Sequence, residues 1–205
     1  LNKESTDAIK NYIEELKKAY YKNDGKEYWD KFEKIKIGAT EENIKKIKEE
    51  FPETPDSLIE LLKIVDGTYH REYQGEKITF YFLGSDVMGY PYYLLSSSQI
   101  LENKKDGYCL FGGYIDGVYE DVEVDEKITD DSEKIKWLHF SDCMNNGGTS
   151  QLFIDFLPSE KGVKGQIVRY LHDPDEIEVI ADSFDEYLEK LMEHDLDFIS
   201  KDTIY

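Results

Sequence analysis

Cysteine, basic side chains and long apolar runs are scarce in this sequence, and each shortage excludes something. Cys109 and Cys143 are the only cysteines and stand far apart, so neither a disulfide framework nor a zinc ligand set of short spacing can form. Both are expected to be small buried hydrophobes in a reducing, cytoplasmic compartment. Lys and Arg total 25 against 45 Asp and Glu, a formal net charge of −20. Nucleic acid and anionic membrane are poor partners for such a surface, because phosphate binding needs clustered Lys and Arg. Its natural complement is a basic protein or a cationic ligand, although acidity that only confers solubility has the same composition. No run is long and apolar enough for a membrane span, and no signal peptide is visible. The chain opens at Leu1 without Met, as a trimmed chain lacking a leader would.

Residues that carry chemistry are equally sparse. None of the four histidines, His70, His139, His172 and His194, has an HxxxH or HExxH partner on a helix. His139 falls in a strand-like run, where it is expected to pack or hydrogen-bond, and His172-Asp173 sits at a hairpin end. Cys143 with His139 and Asp142 suggests a nucleophile, but the group would straddle a turn and lacks a third orienting residue. Gly147-Gly148-Thr149-Ser150 lacks the Lys of a phosphate loop. Carboxylates are too numerous to single out an acid–base pair. The expectation is no catalytic residue, no metal and no cofactor.

A core, by contrast, is well provided for. Hydrophobic residues make up 40% and aromatics 14%, with 16 Tyr and 10 Phe among 205 residues. A chain this long buries roughly 70% of its unfolded surface as one domain, with or without an extension. Thr6 opens an amphipathic helix with the stripe Ile9, Tyr12, Ile13, Leu16 and Tyr20, which stops at Asn23-Asp24-Gly25. Tyr28, Trp29, Phe32, Ile35 and Ile37 form a second short apolar stretch. Thr40 caps a helix carrying Ile44, Ile47 and Phe51, whose interleaved Glu and Lys mark a solvated face. Thr54-Pro55-Asp56 begins another, with Leu58, Leu61, Leu62 and Val65 buried. Lys77–Leu83 and Tyr90–Leu95 read as β-like about a Gly84-Ser85-Asp86 turn. Ser96–Ser98 lead into a helical turn at Gln99–Glu102, and Tyr108–Phe111 is an apolar run ended by Gly112-Gly113.

The stretch Trp137–Leu188 organises the rest. Strand-like runs at Ile135–Phe140, Gln151–Phe156, Gln166–Leu171 and Glu176–Ile180 are linked by turn-formers, which predicts an antiparallel meander. Leu152, Ile154 and Phe156 share one strand face, Phe153 and Asp155 the other. Ser183 caps a last helix, with Glu186 in the capping-box position and Phe184, Tyr187, Leu188, Leu191 and Met192 as its apolar stripe. The fold class expected is α+β: a curved, mainly antiparallel sheet of about six strands, with N-terminal helices and a C-terminal helix packed on it. Trp137, Phe140, Leu152, Ile154 and Phe156 should form a core under Phe184 and Leu188.

The same stretch resembles the SUKH superfamily, which joins fungal cell-wall regulators of the Smi/Knr type to bacterial immunity proteins. The matching positions are Trp137, Phe140, Gly147, Gly148, Asp155, Pro158, Gly162, Gly165, Gln166 and Ile167, with Ala181, Ser183 and Phe184 at the last helix. A second block runs from Gly38-Ala39-Thr40 to Asp66-Gly67. The resemblance spans most of Gly38 to Leu191, so residues 1–37 are expected to be a helical extension and 38–205 a single domain. The family usually has an acidic residue before the paired glycines, where this chain has Asn146. The resemblance implies structural roles for Gly38, Gly67, Trp137, Phe140, Gly148, Asp155, Pro158, Gly165, Gln166, Ser183 and Phe184. It also implies a non-enzymatic immunity protein that neutralises a basic cognate toxin, a nuclease being one such class. A cell-wall regulatory scaffold is the alternative, and a small-molecule or metal-dependent enzyme a remote one.

Asp116 to Glu133 is the most acidic stretch, relieved only by Lys127. Most of it is expected to be exposed, with room for a short strand at Val118, Val122 and Val124. Its partner-binding candidates are Tyr114, Asp116, Tyr119, Glu120, Asp121, Glu123, Asp125 and Glu126. A solvated loop that touches nothing is the competing reading.

Overall fold

A computed structural model describes residues 3–119, 121–143 and 150–204. Helix α1 (Lys3–Lys22) begins ahead of Thr6 and buries Ile9, Tyr12, Leu16, Ala19 and Tyr20. Asp24, at φ 65, turns the chain into α2 (Lys26–Ile35), which buries Trp29 and Phe32. Thr40 caps α3 (Glu41–Glu50), its hydroxyl accepting from the Asn43 N–H at 3.2 Å. The expected Thr54 cap on α4 (Asp56–Ile64) is absent: that hydroxyl donates to the Phe51 carbonyl at 2.7 Å, and Pro55 takes the cap position. A hairpin of β1 (Arg71–Tyr73) and β2 (Glu76–Ile78) follows, turning on Gln74 and Gly75, both at positive φ.

The β-like run 77–83 is strand only at its start, with an isolated bridge from Leu83 to Tyr92. The carbonyls of Tyr81, Phe82 and Gly84 instead accept from the hydroxyls of Tyr20, Tyr12 and Tyr187 at 2.8, 2.6 and 2.6 Å. Those bonds satisfy the three carbonyls, while the Phe82 and Leu83 N–H groups both bond the Tyr92 carbonyl, at 2.9 and 3.1 Å. Phe80 is freed to stack on Tyr20 and Phe32, with centroids 4.5 and 4.3 Å away.

Next come β3 (Tyr92–Leu94), α5 (Ser97–Glu102) with a Ser96/Gln99 capping box, and α6 (Asp106–Ile115). The apolar run Tyr108–Phe111 is therefore helical, and Gly112-Gly113 continue the helix rather than end it. After it lie β4 (Glu123–Val124) and a short 3₁₀ turn, Ser132–Lys134. The meander follows as β5 (Trp137–Cys143), β6 (Ser150–Asp155), β7 (Gln166–Leu171) and β8 (Glu176–Ala181). Helix α7 (Phe184–Glu193) and a final α8 (Lys201–Ile204) close the chain. Ser183 caps α7 by accepting from the Glu186 N–H at 3.1 Å, while the Glu186 carboxylate reaches back to the Asp182 N–H at 2.7 Å.

The main sheet runs β3-β5-β6-β7-β8-β4, antiparallel except for the β4–β8 pair. This is the α+β architecture expected, but with both sheet faces covered. Leu138, Phe140, Leu152, Ile154 and Ile167 point into a large core with α1, α4 and α7. Trp137, Phe153, Val168, Tyr170 and Ile177 point the other way, into a second core with Phe111 and Ile115 of α6. Trp137 therefore does not lie under Phe184 and Leu188 as the sequence suggested. Neighbours one residue apart on a strand face opposite ways, and Leu138, not Trp137, shares a face with Phe140. Of the two cysteines Cys143 is buried, but Cys109 is exposed on the outer side of α6.

Candidate functional site

Four of the motif residues, Asp155, Pro158, Gly162 and Gln166, meet at the β6–β7 turn. Asp155, at the end of β6, is buried and accepts from the Leu157 N–H at 2.9 Å and from Gln166 Nε2 at 3.1 Å. Gln166 also donates to the Lys127 carbonyl at 3.1 Å, and its Oε1 accepts from the Val163 N–H at 3.0 Å. Gly162 is pressed onto that same carbonyl and onto Pro158, both of which a Cβ would overlap. Ser159 adds a bond from its hydroxyl to the Glu126 carbonyl at 2.6 Å. The β6–β7 turn and Glu126-Lys127 are thus one hydrogen-bonded unit. Gln166→Ala should cost about 2–3 kcal/mol, since it removes three hydrogen bonds, one of them to the buried Asp155 carboxylate. A thermal melt checks this, as does faster hydrogen exchange at the Val163 amide; an unchanged melt contradicts it.

Burial pushes the Asp155 carboxyl up to about 6, against the pull of the Leu157 and Gln166 donors. Its folded form prefers to be neutral. The ionised group therefore detracts from stability above about 6, and the loss is relieved as pH falls toward the ordinary carboxylate value.

His139 is a second buried polar centre. Its ring lies 4.7 Å from that of Phe153, with Nε2 3.0 Å from Asp142 Oδ1 and Nδ1 3.1 Å from Asp106 Oδ2. The Asn103 side-chain amide lies 3.2 Å from Nδ1. Burial opposes the imidazolium, but the Asp106 and Asp142 carboxylates outweigh it and raise the pKa to about 9. The pair ties the start of α6 to β5. A raised basic pKa gives stability that is complete below the ordinary histidine value and lost as pH rises through about 9. An NMR titration of the imidazole should accordingly show a midpoint near 9, and His139→Gln should flatten the alkaline loss of melting temperature. A midpoint at 6.5 or below contradicts the clamp. Cys143 and His139 sit on one strand rather than across a turn, and on opposite faces: Cys143 belongs to the larger core. They do not form a nucleophile and base.

The partner-binding candidates divide between two ends of the sheet. Tyr114 donates to Asp175 at 3.2 Å in the β7–β8 turn, and its ring lies 5.0 Å from that of Tyr119. The Glu123 N–H bonds the Asp175 carbonyl at this same end. Asp125 and Glu126 lie toward the opposite end, where Asp125 accepts from the Lys127 and Val179 N–H groups and Glu126 pairs with Lys161. Asp116, although exposed, accepts from the Ser132 N–H and hydroxyl at 3.0 and 2.7 Å. Asp121 is exposed. Glu120, with Asn146, Gly147 and Gly148 of the motif, lies outside the described residues.

Two features were missed by sequence reasoning. Arg169 is buried within the acidic edge, pairing through Nε with Asp86 at 2.6 Å, Nη1 with Glu176 at 2.7 Å and Nη2 with Glu178 at 3.2 Å. The other is the exposed apolar surface of α6, whose only sequence signal is Val118-Tyr119, an apolar pair inside an acidic run.

A groove of about 680 Å³ between 124–130 and 158–161 has an apolar floor of Ile115, Val124, Ile128 and Pro158, and no His or Cys lines it. Among the described residues no His, Cys, Asp and Glu side chains gather as a metal would require. None of the described helices is long and apolar enough to cross a membrane. Compared with the curated proteins, the chain matches none. The model of one family, described as the SMI1 / KNR4 family (SUKH-1), matches residues 38–190. That match begins at the glycine preceding α3 and ends within α7, taking in the whole main sheet, and by it the chain belongs to the SMI1/KNR4 family (SUKH-1).

Proposed function

We propose that this chain is a non-enzymatic immunity protein that acts in the cytoplasm of a bacterium by binding a basic toxin domain and blocking its active surface. The observation that carries the reading is the charge of −20 on a member of this family. A nuclease toxin is basic because it binds phosphate, and an acidic, tyrosine-rich protein offers it a substitute for that phosphate. The polar centres described above support the same reading: Asp155 and His139 are engaged in holding a turn and a helix in place, and neither lines the groove of about 680 Å³. The family match begins at residue 38, which supports residues 1–37 as a helical extension on a domain running from 38 to 205. The test is co-expression with the toxin domain encoded beside this chain's gene. Restored growth, with a stoichiometric complex on purification, is the expected result. Unrelieved killing with no complex would sink the reading and leave the family's cell-wall regulatory role as the alternative.

A further inference from the structure

The ten large hydrophobic side chains exposed among the described residues are not evenly spread: Tyr108 (54%), Leu110 (49%), Val118 (67%) and Tyr119 (57%) come from one twelve-residue segment. The segment is α6 and the turn after it. The Val118 N–H bonds the Gly113 carbonyl at 2.9 Å and the Gly117 N–H bonds that of Tyr114 at 3.1 Å, so the chain folds back along the helix. The Tyr119 ring then lies over Gly113, where a Cβ would meet Tyr119 Cε2 at 2.9 Å. Leu110 and Tyr114, four residues apart, are neighbours on the same helix surface.

This helix is not stable by propensity. Gly107, Gly112 and Gly113 each cost about 1 kcal/mol relative to Ala in a helix interior. It is held from outside instead: Asp106 to His139 at its start, Asp116 to Ser132 at its end, and Phe111 and Ile115 in the second core beneath. The apolar surface is therefore displayed on a support fixed at three points. A preordered surface loses little entropy on binding, and tyrosine presents contact area with few rotatable bonds.

We propose that the outer face of α6, with Val118 and Tyr119 folded against it, is where a basic protein partner docks. Leu110, Val118 and Tyr119 would form the apolar centre, and Asp121 and Glu123 the acidic rim. The inference rests on the immunity reading and assigns the surface that reading leaves open. Charge argues for a basic partner over a second copy, since two chains of −20 bring like charges together. None of Leu110, Val118, Tyr119, Asp121 and Glu123 lines the groove of about 680 Å³.

The test measures binding of the full chain to the toxin domain used for co-expression, by surface plasmon resonance, with a Leu110→Ser/Tyr119→Ser double variant. A Leu157→Ser/Val163→Ser double variant, exposed on the β6–β7 turn, is the control. A loss of affinity of about 30-fold or more, mainly in the off-rate, is expected for the first pair and none for the control. Circular dichroism melts check that both variants fold. As a second arm, a maleimide-linked polyethylene glycol on the exposed Cys109 should block binding, whereas the same adduct on a Cys109→Ser/Asp185→Cys chain should not. Undiminished binding by the α6 variant and by the Cys109 adduct overturns the inference while leaving the immunity reading intact. Failure of the unaltered chain to bind overturns both. A wild-type dimer that the α6 variant abolishes makes a second copy the occupant and also overturns it.

Discussion

Gly67→Ala should lower stability by about 3–5 kcal/mol, combining a left-handed backbone with overpacking. Gly67 stands at φ +82, and a Cβ there would come within 2.5 Å of the Ser96 nitrogen and 2.6 Å of its Cα. Neither can move freely. Ser96 caps α5, and the neighbouring Ser97 N–H donates to Asp66 at 2.7 Å. Gly38→Ala should be of similar size, because its Cβ would overlap the Lys63 carbonyl at the end of α4. Gly117 is the comparison: it also has positive φ but nothing within 4 Å of a built Cβ, so alanine there should cost only about 1–2 kcal/mol. In a chain of this size the first two losses correspond to roughly 10 °C of melting temperature. Urea midpoints for the three variants check the ranking. Equal, small shifts would mean that the close approaches at Gly38 and Gly67 are not built as described.

Trp137→Ala and Leu188→Ala should each cost about 2–5 kcal/mol, and their effects should add. The two side chains lie on opposite faces of the sheet and share no core partner: Trp137 packs with Phe111 and Phe153, Leu188 with the α1–α7 side. Trp137→Ala with Phe111→Ala should instead couple, by about 0.5–3 kcal/mol, because their rings are 6.1 Å apart and share Phe153. Coupling in the first pair and none in the second would return Trp137 to the face under α7.

That contrast marks what could be read from the chain and what could not. The meander from β5 to β8 and the caps at Thr40 and Ser183 depend on residues within a few positions of one another, so pattern alone reaches them. Helix α6 does not: its three glycines imitate a loop, and its support comes from Trp137, Phe153 and Tyr170, far along the chain. The parallel pairing of β4 with β8 crosses a similar gap. The run 77–83 failed for a related reason, since the hydroxyls that satisfy its Tyr81 and Phe82 carbonyls come from Tyr20 and Tyr12 of α1, far along the chain. At the candidate site, Tyr114 and Tyr119 were visible as aromatics beside an acidic run. Leu110 was not, because its exposure is decided by which side of α6 faces the second core. The bond from Ser132 to Asp116 was equally hidden, as nothing local distinguishes a helix-end staple from a solvated carboxylate.

The account's central claim is that the chain works by stoichiometric capture of a basic protein, steered by acidic charge. The most direct measurement is the association rate with the toxin domain at two salt concentrations. The expected result is a one-to-one complex whose on-rate is about 10⁸–10⁹ M⁻¹s⁻¹ at low salt and drops steeply as salt screens the surface, with the off-rate little changed. Neutralising Asp121 and Glu123 should remove part of that salt dependence without changing the melting temperature. An on-rate that is slow at low salt and indifferent to salt would contradict the claim.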